Sequence, residues 1–298
     1  MRLSLVFGTV SSGVLVMLGL YGTACSSDEG NRDAAPVFEA GPGDGDSAVV
    51  DPGDGGVDAP DASVKPSLVN VSNHNIDVAG DARFYVLSVP KSYDASRSYP
   101  LIVALHGDGQ DADGFRKFLD LDALSGNDAI TAYTDQVVDL GTAFDQNGDQ
   151  KLVAAVIAEV KSQFNVNARK VWGFGYSKGG FMLNELSCRK PGMFTAFAAH
   201  AAGAPSATAD QCPGILGLPV MMTEGDRDLG IGASFAAQYW AGVNGCGMNL
   251  SASSRAECQK YDGCPSGKAV VYCLAPGVSH YPIWNQATNV TWAFFTSL

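Results

Sequence analysis

From residue 99 onward, short apolar runs alternate with longer segments of helical periodicity. Tyr99 to Leu105 is almost wholly apolar, as expected of a strand covered on both faces. Lys170 to Phe174, Leu218 to Thr223 and Ala269 to Leu274 read as further short buried strands. Between them, Val153, Val156, Ile157, Val160 and Phe164 fall on one face of a helix. Phe181, Met182, Leu183 and Leu186 give a second helix its apolar face, and Pro191 marks its end. Gln286 to Ser297, carrying Trp292, Phe294 and Phe295, reads as a closing helix. This alternation predicts an α/β fold with a mostly parallel central sheet and helices on both faces, built as one domain over residues 67–298.

The first 66 residues follow different rules. Met1 to Ala24 has an early positive charge at Arg2 and an apolar stretch too short and too interrupted for a membrane span, so residues 1–24 read as an export signal. Thr23-Ala24-Cys25, followed by Ser26 and Ser27, resembles the lipobox of bacterial lipoproteins, with Gly22 where leucine is usual. That resemblance implies lipidation at Cys25 and a membrane anchor, hence an outer-membrane or cell-surface location, with simple secretion as the alternative. Residues 25–66 are dominated by Asp, Gly, Pro, Ala and Ser and hold too few large apolar side chains to fold, so they are expected to form a disordered acidic linker.

Charge alters the picture less than its size suggests. The chain carries a formal net charge of −12, but ten carboxylates against Arg32 and Lys65 put −8 of it in the linker. The acidity therefore says little about the domain, and it argues against nucleic acid as a partner.

The candidate chemistry centres on Gly175-Tyr176-Ser177-Lys178-Gly179, a G-x-S-x-G pentapeptide between a strand and a helix. A serine hydroxyl is a weak nucleophile until it is exposed on a tight turn and hydrogen-bonded to a base. Glycines at 175 and 179 remove side chains where such a turn would fold on itself. Downstream, one strand ends in Glu224-Gly225-Asp226-Arg227-Asp228, and the last strand is followed by Gly277-Val278-Ser279-His280. The order nucleophile, acid, histidine is that of the α/β-hydrolase arrangement. Ser177, Asp228 and His280 are thus the expected triad, with Asp226 and then Glu224 as alternative acids. His74, His106 and His200 are expected to be structural. For the oxyanion hole, the amide of Lys178 follows the nucleophile, and a second amide is expected from His106-Gly107-Asp108-Gly109 after the Tyr99 strand, at Asp108 or else Gly109.

From Arg83 to the C-terminus the chain resembles the secreted polyhydroxybutyrate depolymerase-like and feruloyl or acetylxylan esterases. The matching landmarks are Arg83-Phe84-Tyr85 with Val89-Pro90, Tyr99-Pro100-Leu101 leading to Leu105-His106-Gly107, and Gly175 to Met182. Leu186-Ser187-Cys188, Trp240 before Asn244-Gly245-Cys246, and Gly277 to His280 with Pro282 complete them. The resemblance implies an α/β-hydrolase fold and hydrolysis of carboxylic esters. Two departures stand out. Such families usually carry His-Gly-x-x-Asp where this chain has Glu224 to Asp228, and a small residue is common where Lys178 stands. A cation at 178 either faces solvent or biases substrate choice.

Setting Cys25 aside, six cysteines remain: Cys188, Cys212, Cys246, Cys258, Cys264 and Cys273. In an exported chain an even number favours three disulfides. The expected arrangement joins Cys188 to Cys212 and uses the other four to staple the irregular stretch from Gly242 to Gly267. No metal site or cofactor is expected: zinc-type spacing is missing, and the partial EF-hand pattern Asp145, Asn147, Asp149 has Gln150 and Val156 in place of its glycine and closing glutamate.

The sequence therefore predicts an exported serine esterase, with feruloyl or acetyl esters on polysaccharide favoured as substrate over a polyester. The reading of another class is a non-catalytic binding lipoprotein on the same fold. A peptidase is disfavoured, since no additional domain that would filter peptides is visible. Tyr239, Trp240, Tyr281 and Trp284 are candidates to line an acyl pocket, with core packing as the expected role of most.

Overall fold

A computed structural model describes residues 67–136, 148–206 and 216–298. Residues 1–66, where an export signal and a linker are expected, with Cys25, and Cys212, Asp145 and Asn147 lie outside these residues.

The described chain opens with a hairpin, β1 (Val69–Val78) and β2 (Asp81–Pro90). Ala79 and Gly80 form its two-residue turn at φ of 58° and 95°, the positive-φ geometry that matches strand twist. Next come β3 (Tyr99–Leu105), helices α1 (Ala112–Leu119) and α2 (Leu121–Ser125), and β4 (Ile130–Thr134). Helix α3 (Gly148–Gln163) leads into β5 (Val166–Tyr176), α4 (Lys178–Arg189), β6 (Ala196–His200) and β7 (Val220–Gly225). After α5 (Ala233–Asn244) the chain forms β8 (Leu250–Ala252), β9 (Cys258–Tyr261) and β10 (Val270–Ala275), and it closes with α6 (Ala287–Thr296).

These strands form one ten-stranded sheet in the order β1-β2-β4-β3-β5-β6-β7-β10-β9-β8. The six central strands from β4 to β10 are parallel, and antiparallel additions flank them on both sides. Along β3, Leu101, Val103 and Leu105 pack on one face with side chains from α3, α4 and α5, while Ile102 and Ala104 pack on the other with α1, α2 and α6. Both faces are therefore apolar, which explains why the central strands read as continuous runs rather than alternating ones.

Strand order reverses around β3: β4 lies on one side and β5 on the other. The segments leaving the carboxyl ends of β3 and β5 thus diverge, opening the crevice where ligands bind in such sheets. The oxyanion-loop candidate follows β3 and the serine follows β5.

The stretch from Gly242 to Gly267 departs from the expectation of irregular structure, because it contains the β8–β9 hairpin that extends the sheet. Cys246 pairs with Cys264, and Cys258 pairs with Cys273. The second bond ties the hairpin to β10, the strand that precedes the histidine loop. Cys188 is also disulfide-bonded.

Candidate active site

Ser177 terminates β5 and caps α4 at φ 50° and ψ −120°. A non-glycine residue at positive φ is strained, and such strain persists only where the surroundings enforce it. Here they do. A Cβ on Gly175 would sit 2.6 Å from the carbonyl oxygen of Gly179, and one on Gly179 would sit 2.2 Å from that of Leu105. Both positions must be glycine for the turn to close on itself and to lie against the end of β3. The Ser177 amide donates to the His200 carbonyl at 2.9 Å, and the Ser177 carbonyl accepts from the Phe181 amide at 2.9 Å.

The acid and histidine loops meet because β7 and β10 are paired in parallel and end together. Gly225 lets them touch, as a Cβ there would lie 2.0 Å from the Val278 carbonyl oxygen. Across this contact the Asp226 amide donates to the Ala275 carbonyl and the Arg227 amide to the Val278 carbonyl, each at 3.0 Å. The result is a continuous chain of side chains. Ser177 Oγ lies 2.8 Å from His280 Nε2, and His280 Nδ1 lies 2.8 Å from Asp228 Oδ2. The Asp228 side chain is 14% exposed and that of His280 40%, so the carboxylate is shielded while the ring faces the opening.

The alternative acids have other partners. Asp226 accepts from the Gly277 amide at 2.8 Å and pins the start of the histidine loop. Glu224 is buried and accepts from the amides of Ala233 and Ser234, in the first turn of α5, and from the Tyr272 hydroxyl. It serves as a cap for a helix whose N-cap residue, Gly232, has no side chain to do so. Neither carboxylate is among the hydrogen-bond partners of His280.

The remaining histidines have structural surroundings. His200 is fully enclosed, held by Thr223 Oγ1 at 2.6 Å and Thr291 Oγ1 at 2.8 Å and stacked on Phe174. Burial pushes its pKa down to about 3, so it is neutral across the ordinary pH range. His106 is buried beside the oxyanion-loop candidate, with Nδ1 2.7 Å from the Gly107 carbonyl oxygen. His74 contacts Ser72 on the outer hairpin.

In the loop after β3, the Gly107 amide donates to Gln110 Oε1 at 3.0 Å, which commits it away from the site. Asp108 and Gly109 are the candidates that remain. Lys178 does not simply face solvent: its ammonium lies 2.7 Å from Asp108 Oδ1. The Asp108 carboxyl is held below the usual carboxylate range, chiefly by this hydrogen bond.

Sequence reasoning also missed a role for Tyr176. Its hydroxyl donates to the His280 carbonyl at 2.5 Å, and its ring stacks on the imidazole with centroids 5.8 Å apart. Burial, followed by the charge of Asp228, pushes the phenol up to about 12, so it remains a donor. The only local signal was an aromatic at the variable position of the pentapeptide. Of the four aromatics considered for an acyl pocket, Trp240 and Trp284 are buried, and Trp240 donates to Asn184 Oδ1. Tyr281, next to the histidine, is 68% exposed.

Among the described residues there is no cluster of three or more potential metal ligands, and Asp149 is ion-paired with Arg83. What the arrangement offers is a half-buried hydroxyl, an imidazole positioned to take its proton, and a carboxylate on the far ring nitrogen. That is the constellation of nucleophilic acyl transfer.

No family model matches the chain. Among curated proteins, it is 27% identical over 208 residues to "Probable feruloyl esterase C" of Aspergillus niger, covering 64% of this chain and 71% of that one. Among solved structures, it matches a feruloyl esterase module from Clostridium thermocellum complexed with sinapinate at TM-score 0.57 and 14% identity, covering 80% of this chain and 91% of that one. An acetyl xylan esterase from Aspergillus awamori matches at TM-score 0.58 and 14% identity, over 76% of this chain and 100% of that one. The chain has the α/β-hydrolase fold of these structures and is similar to feruloyl and acetylxylan esterases, which are carboxylic ester hydrolases.

Proposed function

We propose that the protein is an exported serine esterase that acts through Ser177, His280 and Asp228 on feruloyl or acetyl esters of polysaccharide. The observation that carries this reading is the unbroken hydrogen-bonded chain from the Ser177 hydroxyl through His280 to Asp228. His280 Nε2 takes the proton as Ser177 Oγ bonds to the ester carbonyl carbon, and Asp228 holds the ring by Nδ1 and offsets the imidazolium charge. The carbonyl oxygen, now negative, is stabilised by the main-chain amides of Lys178 and Asp108. As the tetrahedral intermediate collapses, the bond to the alcohol breaks and the imidazolium returns the proton to the departing oxygen. Water then repeats the sequence on the acyl-enzyme, releasing the acid and restoring Ser177.

Two features support export: disulfides, which persist in oxidising compartments, and the apolar segment 1–24 ahead of an acidic linker. Lipidation at Cys25 would tether the domain to a membrane surface, with the 25–66 segment as the spacer.

Release of ferulate, acetate and hydroxybutyrate from model esters is the discriminating experiment, with Ser177→Ala as control. Ferulate or acetate release that disappears in the variant supports the assignment. Faster hydroxybutyrate release would move it to a polyester depolymerase, and no Ser177-dependent release of any acid would leave a binding protein on a hydrolase fold.

A further inference from the structure

We infer that the Lys178–Asp108 ion pair is a clasp that fixes the β3–α1 loop against the nucleophile turn, so that both side chains are positioning residues for the oxyanion-binding amides. This rests on the esterase reading above. The two residues assigned as main-chain donors stand 70 positions apart, and their side chains meet at 2.7 Å.

The two sides of the clasp differ in stiffness. Lys178 opens α4 directly behind the strained Ser177, and the adjacent Gly179 is in contact with the carbonyls of Leu105 and His106. Its backbone therefore has little freedom, and its side chain is only 27% exposed. Asp108, by contrast, is 71% exposed and lies between two glycines, the second at φ 69°. Glycines leave the flanking backbone free to adopt other conformations. The loop's other ties, from Gln110 to the Gly107 amide and from Gln136 to the His106 carbonyl, hold its root rather than Asp108. The carboxylate grip on Lys178 thus transfers order from the stiff partner to the soft one.

An exposed pair contributes little to global stability. Catalysis is more sensitive, because a donor acts only when it is aimed at the developing charge, and small displacements cost rate. The pair also bears on substrate choice: the ammonium beside the nucleophile is matched by the carboxylate of Asp108, so Lys178 supplies no uncompensated cation to attract anionic acyl groups. Asp108 keeps that role at neutral pH, since Lys178 holds its carboxyl below the usual range.

A double-mutant cycle tests the clasp, using kcat and KM for p-nitrophenyl acetate of the full chain, Asp108→Asn, Lys178→Met and the combined variant, with Ser177→Ala as control. Each single change is expected to lower kcat on the order of ten-fold, with KM within about two-fold. The combined variant is expected to be no slower than the slower single variant, because the second change removes nothing further. Lys178→Ala, which also removes the donor, provides the same test if the methionine variant does not fold. Single variants within about two-fold of the parent kcat, losses that multiply in the combined variant, or an effect confined to KM would overturn the clasp while leaving the esterase reading intact. A parent protein without Ser177-dependent turnover would remove that reading, and the clasp with it.

Discussion

The hydroxyl of Tyr176 donates a hydrogen bond to the main-chain carbonyl of His280, the residue whose ring receives the Ser177 hydroxyl. The pentapeptide thus holds the histidine loop twice, once at its side chain and once at its backbone. The Tyr176 ring also sets the wall of the oxyanion loop, for a Cβ on Gly107 would come within 2.9 Å of it. One side chain therefore touches two of the three loops that make up the site.

Tyr176→Phe keeps the ring and removes the donor. We expect a several-fold lower kcat, an unchanged KM and a stability loss of about 1 kcal/mol, the usual contribution of one hydrogen bond. Steady-state kinetics with a short aryl ester, alongside denaturant unfolding, checks this. An unchanged kcat would show that the His280 backbone is held by other contacts.

The three carboxylates after β7 should separate cleanly. Asp228→Asn leaves the shape intact but removes the charge that holds the ring, and a fall in kcat of about 10³ to 10⁴ is expected. Asp226→Asn, at the start of the histidine loop, should stay within about ten-fold of the parent. Glu224→Gln weakens a buried cap on α5, so it should lower unfolding stability by about 1–3 kcal/mol while Ser177 remains reactive. A loss at Asp226 equal to that at Asp228 would reverse the assignment.

Stability should fall in mild acid because of His200. Its folded pKa lies near 3, well below the unfolded value of about 6.5. Below pH ~6.5 the unfolded chain binds a proton that the folded chain refuses, so this contribution is complete above that pH and declines as pH drops toward the folded value. Between pH 7 and pH 5 the expected loss is about 2 kcal/mol. Chemical denaturation across that window, compared with His200→Asn, isolates the effect: the variant should show a flatter dependence. Parallel curves would mean that His200 is protonated in the folded protein.

Much of this was legible in the sequence, for identifiable reasons. Four of the six central strands, β3, β5, β7 and β10, and the helices α3, α4 and α6 announced themselves because continuous apolar runs and 3.6-residue periodicity are local signals, whereas β4 and β6, only five residues each, were not named. The hairpins β1–β2 and β8–β9 were not named: β1, β8 and β9 lie at the rims of the sheet, where one or both faces stay wet and the apolar signal fades, and β2 is buried only over its second half. Ser177, His280 and Asp228 could be named because each follows a strand in a recognisable order, and the structure brings the three together. The glycines at 175 and 179 were read correctly as marking close approach, and Gly225 turned out to do the same between the acid and histidine loops. Lys178 and Asp108, or Tyr176 and the His280 carbonyl, are different. Their partners lie 70 and 104 residues away, and no spacing rule joins them before the sheet places the loops side by side.

The most direct measurement of the central claim is labelling of the folded protein with a fluorophosphonate probe, followed by peptide mass spectrometry. One adduct is expected, on Ser177, lost on heat denaturation and strongly slowed in His280→Ala. An unlabelled Ser177 in folded protein, together with no hydrolysis of p-nitrophenyl acetate, would contradict it.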